Sequence, residues 1–250
     1  MLPQPSSAMG SFANPSSSPA WDIQPDRRLI GVCYYPELFL LSEVEPDLRR
    51  IRDIGFNAIR IAEGAWAHFE PAEGQYRFDL FDTVLDLAHR LGLSVVFGTP
   101  TYCGPAWIAR RYPETLRHDF HRRPLAHGSR RCYTYNSPTY QRLCDQITGT
   151  LADRYAKHPA IVAWQIDNEF NCHSSTSYAP DDTRQFRRFL RERYGEIDRL
   201  NDAWGTRFWS QCYDSFEQVD LPAPTPAPPN PHQLLDEQRF INDSCAARCG

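Results

Sequence analysis

The stretch WQIDNE at residues 164–169 ends in an amide and a carboxylic acid, Asn168 and Glu169, and the acid is suited to proton transfer. It closes an apolar run of the kind that forms a buried β-strand. A carboxylic acid at that position can protonate a departing glycosidic oxygen, and the neighbouring amide can donate a hydrogen bond to a sugar hydroxyl. The same two residues also fit a plainer role, with Asn168 capping the next segment and Glu169 exposed in a loop. The dipeptide alone leaves both interpretations open.

Short apolar runs alternate with amphipathic helical patterns ahead of this stretch, and both are needed to position it. The strands are predicted at residues 29–35, 57–62, 93–97 and 160–166. Helices are predicted between them from apolar spacing within residues 43–55, 80–91 and 143–155. Strands that are apolar throughout, rather than alternating, indicate a parallel sheet covered by helices.

Two features distinguish a (β/α)₈ barrel from an open dinucleotide-binding sheet. No GxGxxG follows the first predicted strand, where residues 35–37 read Tyr-Pro-Glu. Polar or aromatic side chains follow every predicted strand, as they do at the active-site face of a barrel. These residues are Tyr35, Glu37, Glu63, Trp66, Thr99, Tyr102, Asp167, Asn168 and Glu169. The prediction is an α/β chain of the (β/α)₈ TIM-barrel type with about its first four βα units present.

The remainder of the chain predicts helices rather than further strands. Helical patterns cover residues 181–194, 197–204 and 234–241, with a proline-rich loop at 221–231. Residues 1–25 are rich in Ser and Pro without apolar periodicity, which predicts a disordered extension. We therefore predict two regions: the extension at 1–25, and the truncated N-terminal half of a barrel at 26–250.

Composition excludes several classes of protein. The 250 residues carry 27 basic and 31 acidic side chains, a formal net charge of −4, without the basic patch that nucleic-acid binding requires. No apolar run approaches the length of a membrane helix. The eight cysteines form no CxxC pair, which favours reduced thiols in a cytoplasmic protein.

Six segments, in order, resemble the N-terminal part of glycoside hydrolase family 42, the bacterial β-galactosidases. They are GVCYYPE at 31–37, NAIRIAEGAWAHFEP at 57–71, GTPTYCGPAW at 98–107, GSRR at 128–131, WQIDNE at 164–169 and LNDAWGTRFWS at 200–210. The resemblance implies a retaining glycosidase acting on β-galactosides or galacto-oligosaccharides, forming a homo-oligomer when complete.

The resemblance also implies roles for individual residues. The acid/base of the family falls on Glu169, its sugar-binding asparagine on Asn168, and its substrate-binding arginine on Arg130. Arg131 takes the last role if the register is shifted by one. Arg60 matches an arginine that steadies the nucleophile. The nucleophile itself is a second glutamate, expected beyond residue 250.

Many members of the family carry a zinc site of four cysteines near the acid/base loop. The corresponding positions hold Thr134, Ser174, Thr176 and Ala179, which supply no thiolate. Three further candidates nearby, Cys132, Cys172 and His173, match no family ligand. We predict no metal and no cofactor.

A different class of function stays open beside the enzyme. A chain that keeps half of the site could be a non-catalytic carbohydrate-binding half-barrel or an inactive fragment. The isolated 250-residue chain is itself predicted to be inactive, because retaining hydrolysis needs two carboxyl groups.

Overall fold

The computed structural model describes residues 28–170, 172 and 176–249, so the predicted extension at 1–25 lies outside the described residues. Its strands are β1 (Gly31–Cys33), β2 (Ala58–Ile61), β3 (Ser94–Gly98) and β4 (Ile161–Gln165). Its α-helices are α1 (Leu41–Asp53), α2 (Trp66–Phe69), α3 (Asp79–Arg90), α4 (Ala106–Arg111), α5 (Pro138–Tyr155), α6 (Pro180–Tyr194), α7 (Ile197–Trp204) and α8 (Pro231–Cys249). No helix in these ranges is long and apolar enough to cross a membrane.

The four strands form one parallel sheet in the order β1-β2-β3-β4. Ile59 of β2 pairs with Val32 of β1 and with Val95 of β3, and Phe97 pairs with Trp164 of β4. Each strand returns to the sheet through helices, as parallel neighbours require. The predicted fold class is therefore confirmed: four βα units stand in the order of the first half of a barrel, and the described residues contain no fifth strand.

One hydrophobic core lies between the sheet and its helices. Phe81 of α3 is fully buried, and its ring centroid is 4.2 Å from that of Phe69 and 6.2 Å from that of Phe97. Burying a side chain of this size stabilises the fold by about 1.5–3 kcal/mol. Because Phe97 is the penultimate residue of β3, this cluster packs against the end of that strand, just ahead of its following loop.

Helix α5 begins earlier than its apolar pattern indicates, at Pro138 rather than near Leu143. Ser137 is its N-cap, and the Ser137 side chain accepts a hydrogen bond from the backbone N–H of Tyr140. Proline suits the first helical position because its missing N–H would have no partner there. Capping chemistry, not periodicity, therefore decides where α5 starts.

Helices α6, α7 and α8 enclose a second cluster, and here the prediction for α8 was too short. The pattern indicated residues 234–241, whereas α8 covers Pro231–Cys249. The Asn230 side chain accepts a hydrogen bond from the backbone N–H of His232 at its start, and Phe240 is buried against Phe186. Tertiary contacts extend a helix whose own apolar periodicity is weak.

Gly98 is predicted to be intolerant of even one added methyl group. A Cβ there would lie 2.5 Å from the Cβ and 2.8 Å from the Cα of Glu63. Because backbone must then move, Gly98→Ala should destabilise the full-length protein by about 1–3 kcal/mol. Gly149 is the matched control: it lies in α5 with open space around it, and Gly149→Ala should stabilise the helix by up to about 1 kcal/mol. Urea unfolding midpoints measure both, and equal midpoints would contradict the packing argument.

Candidate functional site

The candidate site lies where the parallel strands end. Parallel strands present their carboxyl ends at one edge of the sheet, so the residues that follow them converge. Those that contact one another at this edge are Tyr35 after β1, Arg60 and Glu63 at the end of β2, Thr99 and Thr101 after β3, and Gln165, Asp167 and Asn168 at the end of β4.

The loop after β4 carries the predicted acid/base residue. The Glu169 side chain is 50% exposed, and its Oε2 lies 3.0 Å from Nη1 of Arg130. Asn168 is half-buried on the same loop, where its Oδ1 accepts a hydrogen bond from Nε2 of Gln165 at 3.0 Å. The structure thus brings Glu169 and Arg130 into direct contact and places Asn168 beside them.

The adjacent arginine, Arg131, is buried more deeply than Arg130. Its side chain is buried, and its Nη2 lies 3.8 Å from Oδ1 of Asp167. Of the two arginines in GSRR, Arg130 is therefore the one that meets Glu169, and Arg131 lies beneath it. Which of them binds substrate stays a prediction.

Arg60 bridges the two ends of the sheet edge. Its Nη1 donates to Oε1 of Gln165 at 3.1 Å, and its Nη2 lies 2.9 Å from Oε1 of Glu63 and 3.5 Å from the Tyr35 hydroxyl. Burial lowers the pKa of Arg60, but the charge of Glu63 and the Tyr35 hydroxyl raise it, and the net shift is upward. Arg60 is therefore a fixed cation between β1 and β4.

Two further carboxyl groups at this edge belong to Glu37 and Glu63. Their positions after predicted strands are evident in the sequence, but their partners are not. Glu63 is 1% exposed, and its partner is Arg60. Burial raises the pKa of Glu37, and the negative charge of Glu63 raises it further. An acid three residues after an arginine at a strand end is the signal that would have predicted the Arg60–Glu63 pair.

The aromatic residues that follow the strands divide between core and site. Trp66 is fully buried and donates from Nε1 to Oε2 of Glu70 at 2.8 Å, so it is a core residue. Tyr35 instead touches Arg60, and burial raises its pKa. A phenol that stays protonated at the sheet edge can serve as a hydrogen-bond donor.

The positions that the resemblance assigns to zinc do not fit that metal. Thr134 donates its hydroxyl hydrogen bond to Asp182, Thr176 donates to Glu237, and Ala179 is fully buried ahead of α6. A four-thiolate site cannot form from these side chains. Ser174 and His173 lie outside the described residues.

Asp182 forms a hydrogen-bonded cross-link in this part of the fold. It is 3% exposed and accepts hydrogen bonds from Thr134 and Ser177 and, at 2.8 Å, from Nδ2 of Asn136. One buried carboxylate therefore joins the segment before α5 to the first turn of α6. Among the described residues, no group of three or more His, Cys, Asp or Glu side chains is placed to hold a metal ion.

We expect the full-length protein to be independent of zinc. The thiol of Cys132 donates to the backbone oxygen of Ser129 at 2.8 Å, and Sγ of Cys172 faces Arg130 at 4.0 Å. Elemental analysis should find zinc well below one atom per chain, and a chelator should leave activity unchanged. Tightly held stoichiometric zinc would show instead that Cys132, Cys172 or His173 contributes to a substitute site.

Comparison with known proteins gives one consistent family. The sequence model of glycoside hydrolase family 42, described as beta-galactosidase, matches residues 33–249. Beta-galactosidase BgaA of Thermus sp is 43% identical over 220 residues, which are 88% of this chain and 34% of that protein. Beta-galactosidase BgaH of Haloferax lucentense is 40% identical over 87% of this chain and 33% of its own.

Solved structures agree with the sequence comparison. The beta-galactosidase from the psychrophilic Marinomonas ef1 superposes with a TM-score of 0.84 at 41% identity, over 87% of this chain and 33% of that one. The chain spans about a third of the length of the relatives it matches. Because both sequence and fold agree over nearly nine-tenths of its residues, the chain belongs to glycoside hydrolase family 42, the beta-galactosidase family.

Proposed function

We propose that the full-length protein is a retaining glycosidase that removes terminal β-D-galactosyl residues from β-galactosides. In this scheme Glu169 is the general acid/base, and the nucleophilic glutamate lies beyond residue 250. The observation that carries the proposal is the position of Glu169, half-exposed at the carboxyl edge of the sheet and paired with Arg130. The choice of galactose as the sugar follows from the names of the relatives, which are all beta-galactosidases at 35–43% identity.

Glu169 would act in both halves of the reaction. Its protonated carboxyl group gives a proton to the glycosidic oxygen as the nucleophile attacks the anomeric carbon. The resulting carboxylate then takes a proton from the water that releases the sugar. A side chain that is half-exposed can meet both the leaving group and that water, whereas the buried Glu63 cannot.

Arg130 and Asn168 would hold the sugar on either side of that carboxyl group. Gln165 donates to the amide oxygen of Asn168, which leaves the amide nitrogen to donate to a ring hydroxyl. The Arg130 guanidinium contacts Glu169 with Nη1 and has further N–H groups for hydroxyl oxygens. Together they would orient the sugar so that its glycosidic oxygen meets Glu169.

A similar solved structure supports the glutamate chemistry. It is described as the catalytic mutant, glutamate to alanine, of Gan42B, a GH42 beta-galactosidase from G. stearothermophilus, with a TM-score of 0.80 at 31% identity. A glutamate is thus a catalytic residue in that relative.

A panel of nitrophenyl glycosides tests the proposal on the full-length protein. We expect the β-galactoside to be turned over faster than the β-glucoside and the α-galactoside. Preference for the glucoside would contradict the sugar assignment. Binding of galactose without turnover of any member of the panel would favour the carbohydrate-binding alternative.

A further inference from the structure

Asp167 is a buried carboxylate at the sheet edge, surrounded by hydrogen-bond donors. It is 1% exposed, and its carboxylate accepts hydrogen bonds from the backbone N–H of Asn168 at 2.6 Å and the hydroxyl of Thr101 at 2.7 Å. The Tyr135 hydroxyl donates a third at 3.3 Å. Burial, together with the charge of Asp167, raises the pKa of Tyr135, so that phenol stays protonated as a donor. A buried carboxylate persists in a fold when donors surround it in this way.

Two ion pairs, one partly exposed and one buried, join the same two chain segments. The outer pair joins Arg130 to Glu169, with side chains 35% and 50% exposed. The inner pair joins Arg131 to Asp167, with side chains 4% and 1% exposed; their closest charged atoms are 3.8 Å apart, without a hydrogen bond between them. The Tyr135 hydroxyl links the two, because it accepts a hydrogen bond from Nη1 of Arg131 and donates one to Asp167. An exposed pair orders its own side chains weakly, because water screens it. The inner pair is therefore the one able to fix the spacing of the segments that carry the outer pair.

The backbone of the β4 loop needs such support. Asp167 has a φ of 54° and Glu169 a φ of 46°, both in the left-handed region that costs free energy for residues other than glycine. Arg131 shares this conformation, with a φ of 59°. Strained residues persist where their surroundings over-determine them. Here the Thr99 hydroxyl oxygen accepts from the Asp167 backbone N–H at 2.7 Å, which holds the loop from its other side.

We propose that Asp167 is a positioning residue, whose buried pairing with Arg131 sets where Glu169 meets Arg130 and the substrate. The inference rests on the proposed function, because it concerns the placement of the general acid/base. Asp167 acts through the loop and through Arg131, and Glu169 alone performs the proton transfer.

The charges around Asp167 and Arg131 determine the direction in which each variant should shift the pH dependence of activity. The charged and titratable groups that face Asp167, Glu169 or their arginines among the described residues include Arg117, Arg130, Arg131, Tyr135, Tyr140, Cys103 and Cys172. Removing the negative charge of Asp167 leaves Arg131 uncompensated close to Glu169. A nearby excess of positive charge disfavours a protonated carboxyl group. Removing the cation of Arg131 has the opposite effect.

The test compares three variants of the full-length protein with the unmodified protein. Asp167→Asn keeps the side-chain shape, and asparagine tolerates the left-handed backbone. We expect kcat on a β-galactosyl disaccharide to fall by up to about 100-fold, with KM little changed, since misplacing a catalytic group costs turnover. The fall on a nitrophenyl galactoside should be smaller. The alkaline limb of the kcat–pH profile should move to lower pH in Asp167→Asn and to higher pH in Arg131→Gln.

Asp182→Asn is the matched control. Asp182 is a buried carboxylate with three donors of its own, and it joins the 134–136 segment to the start of α6 without touching Asp167 or Glu169 in any of these bonds. Asp182→Asn should lower the urea midpoint of unfolding without moving the alkaline limb of the kcat–pH profile. If Asp167→Asn behaves like Asp182→Asn, with stability lost and the limb unmoved, Asp167 is purely structural and the proposal is overturned. If Asp167→Asn does not fold, Arg131→Gln provides the test. An alkaline limb that moves to higher pH in Arg131→Gln supports the proposal, and an unmoved limb overturns it.

Glu169→Gln, measured alongside, distinguishes a failure of the positioning role of Asp167 from a failure of the proposed function. Loss of disaccharide turnover in Glu169→Gln together with an unmoved limb in Asp167→Asn refutes only the positioning role. Full disaccharide turnover in Glu169→Gln refutes the proposed function, and the positioning role falls with it.

Discussion

Replacing Glu169 by alanine in the full-length protein should lower kcat on a β-galactosyl disaccharide by about 10²–10⁴-fold, the usual contribution of general acid–base catalysis. The loss on an activated aryl galactoside should be far smaller in the first step. The difference arises because a sugar leaving group needs the proton of Glu169 in the transition state, whereas a nitrophenolate leaves without it. Initial rates on the two substrates measure this asymmetry directly.

Azide provides a second readout of the same variant. It can attack the glycosyl-enzyme without help from a base, so it should restore part of the second step and yield galactosyl azide. Glu192→Ala is a suitable control, because Glu192 is an exposed glutamate paired with Arg188 at 2.7 Å on α6. It should leave both rates unchanged. Equal losses on both substrates in Glu169→Ala, with no effect of azide, would refute the acid/base role.

A purified polypeptide of residues 1–250 should show no turnover of a nitrophenyl galactoside above background. Retaining hydrolysis needs two carboxyl groups about 5–5.5 Å apart on opposite sides of the bond that breaks. Of the other carboxyl groups described at the sheet edge, Glu63 is buried and paired with Arg60. Asp167 is committed to its donors. Both are engaged by other groups, so of the carboxyl groups named at this edge Glu37 is the one left to test as a nucleophile.

The same polypeptide should also associate with itself. β1 and β4 are the edges of its described sheet, and Ile30 and Ile166 beside them are 56% and 54% exposed. Unpaired edges of this kind promote association. Sedimentation measures it. Turnover that disappears in the Glu169→Ala form of this polypeptide would show that it supplies its own nucleophile, with Glu37 the first residue to test.

Patterns along the sequence predicted the strands and the sheet type correctly for a physical reason. Apolar continuity in 93–97 and 160–166 depends on burial of both sheet faces, and β3 and β4 lie within a residue of those bounds. Helix α8 was predicted too short because its length depends on contacts with α6 and α7 rather than on its own pattern. Capping by Ser137 likewise moved the start of α5.

The sequence by itself determined the fold class, the family and the loop that carries Asn168 and Glu169, because these follow from local periodicity and from ordered motifs. Only the tertiary structure decided that Arg130 meets Glu169 while Arg131 lies beneath it against Asp167. These partners are 39 and 36 residues apart, and neighbouring arginines are equivalent in any local pattern. Which one is buried depends on how the segment before α5 packs on the end of β4, where Thr101 and Tyr135 complete the shell around Asp167.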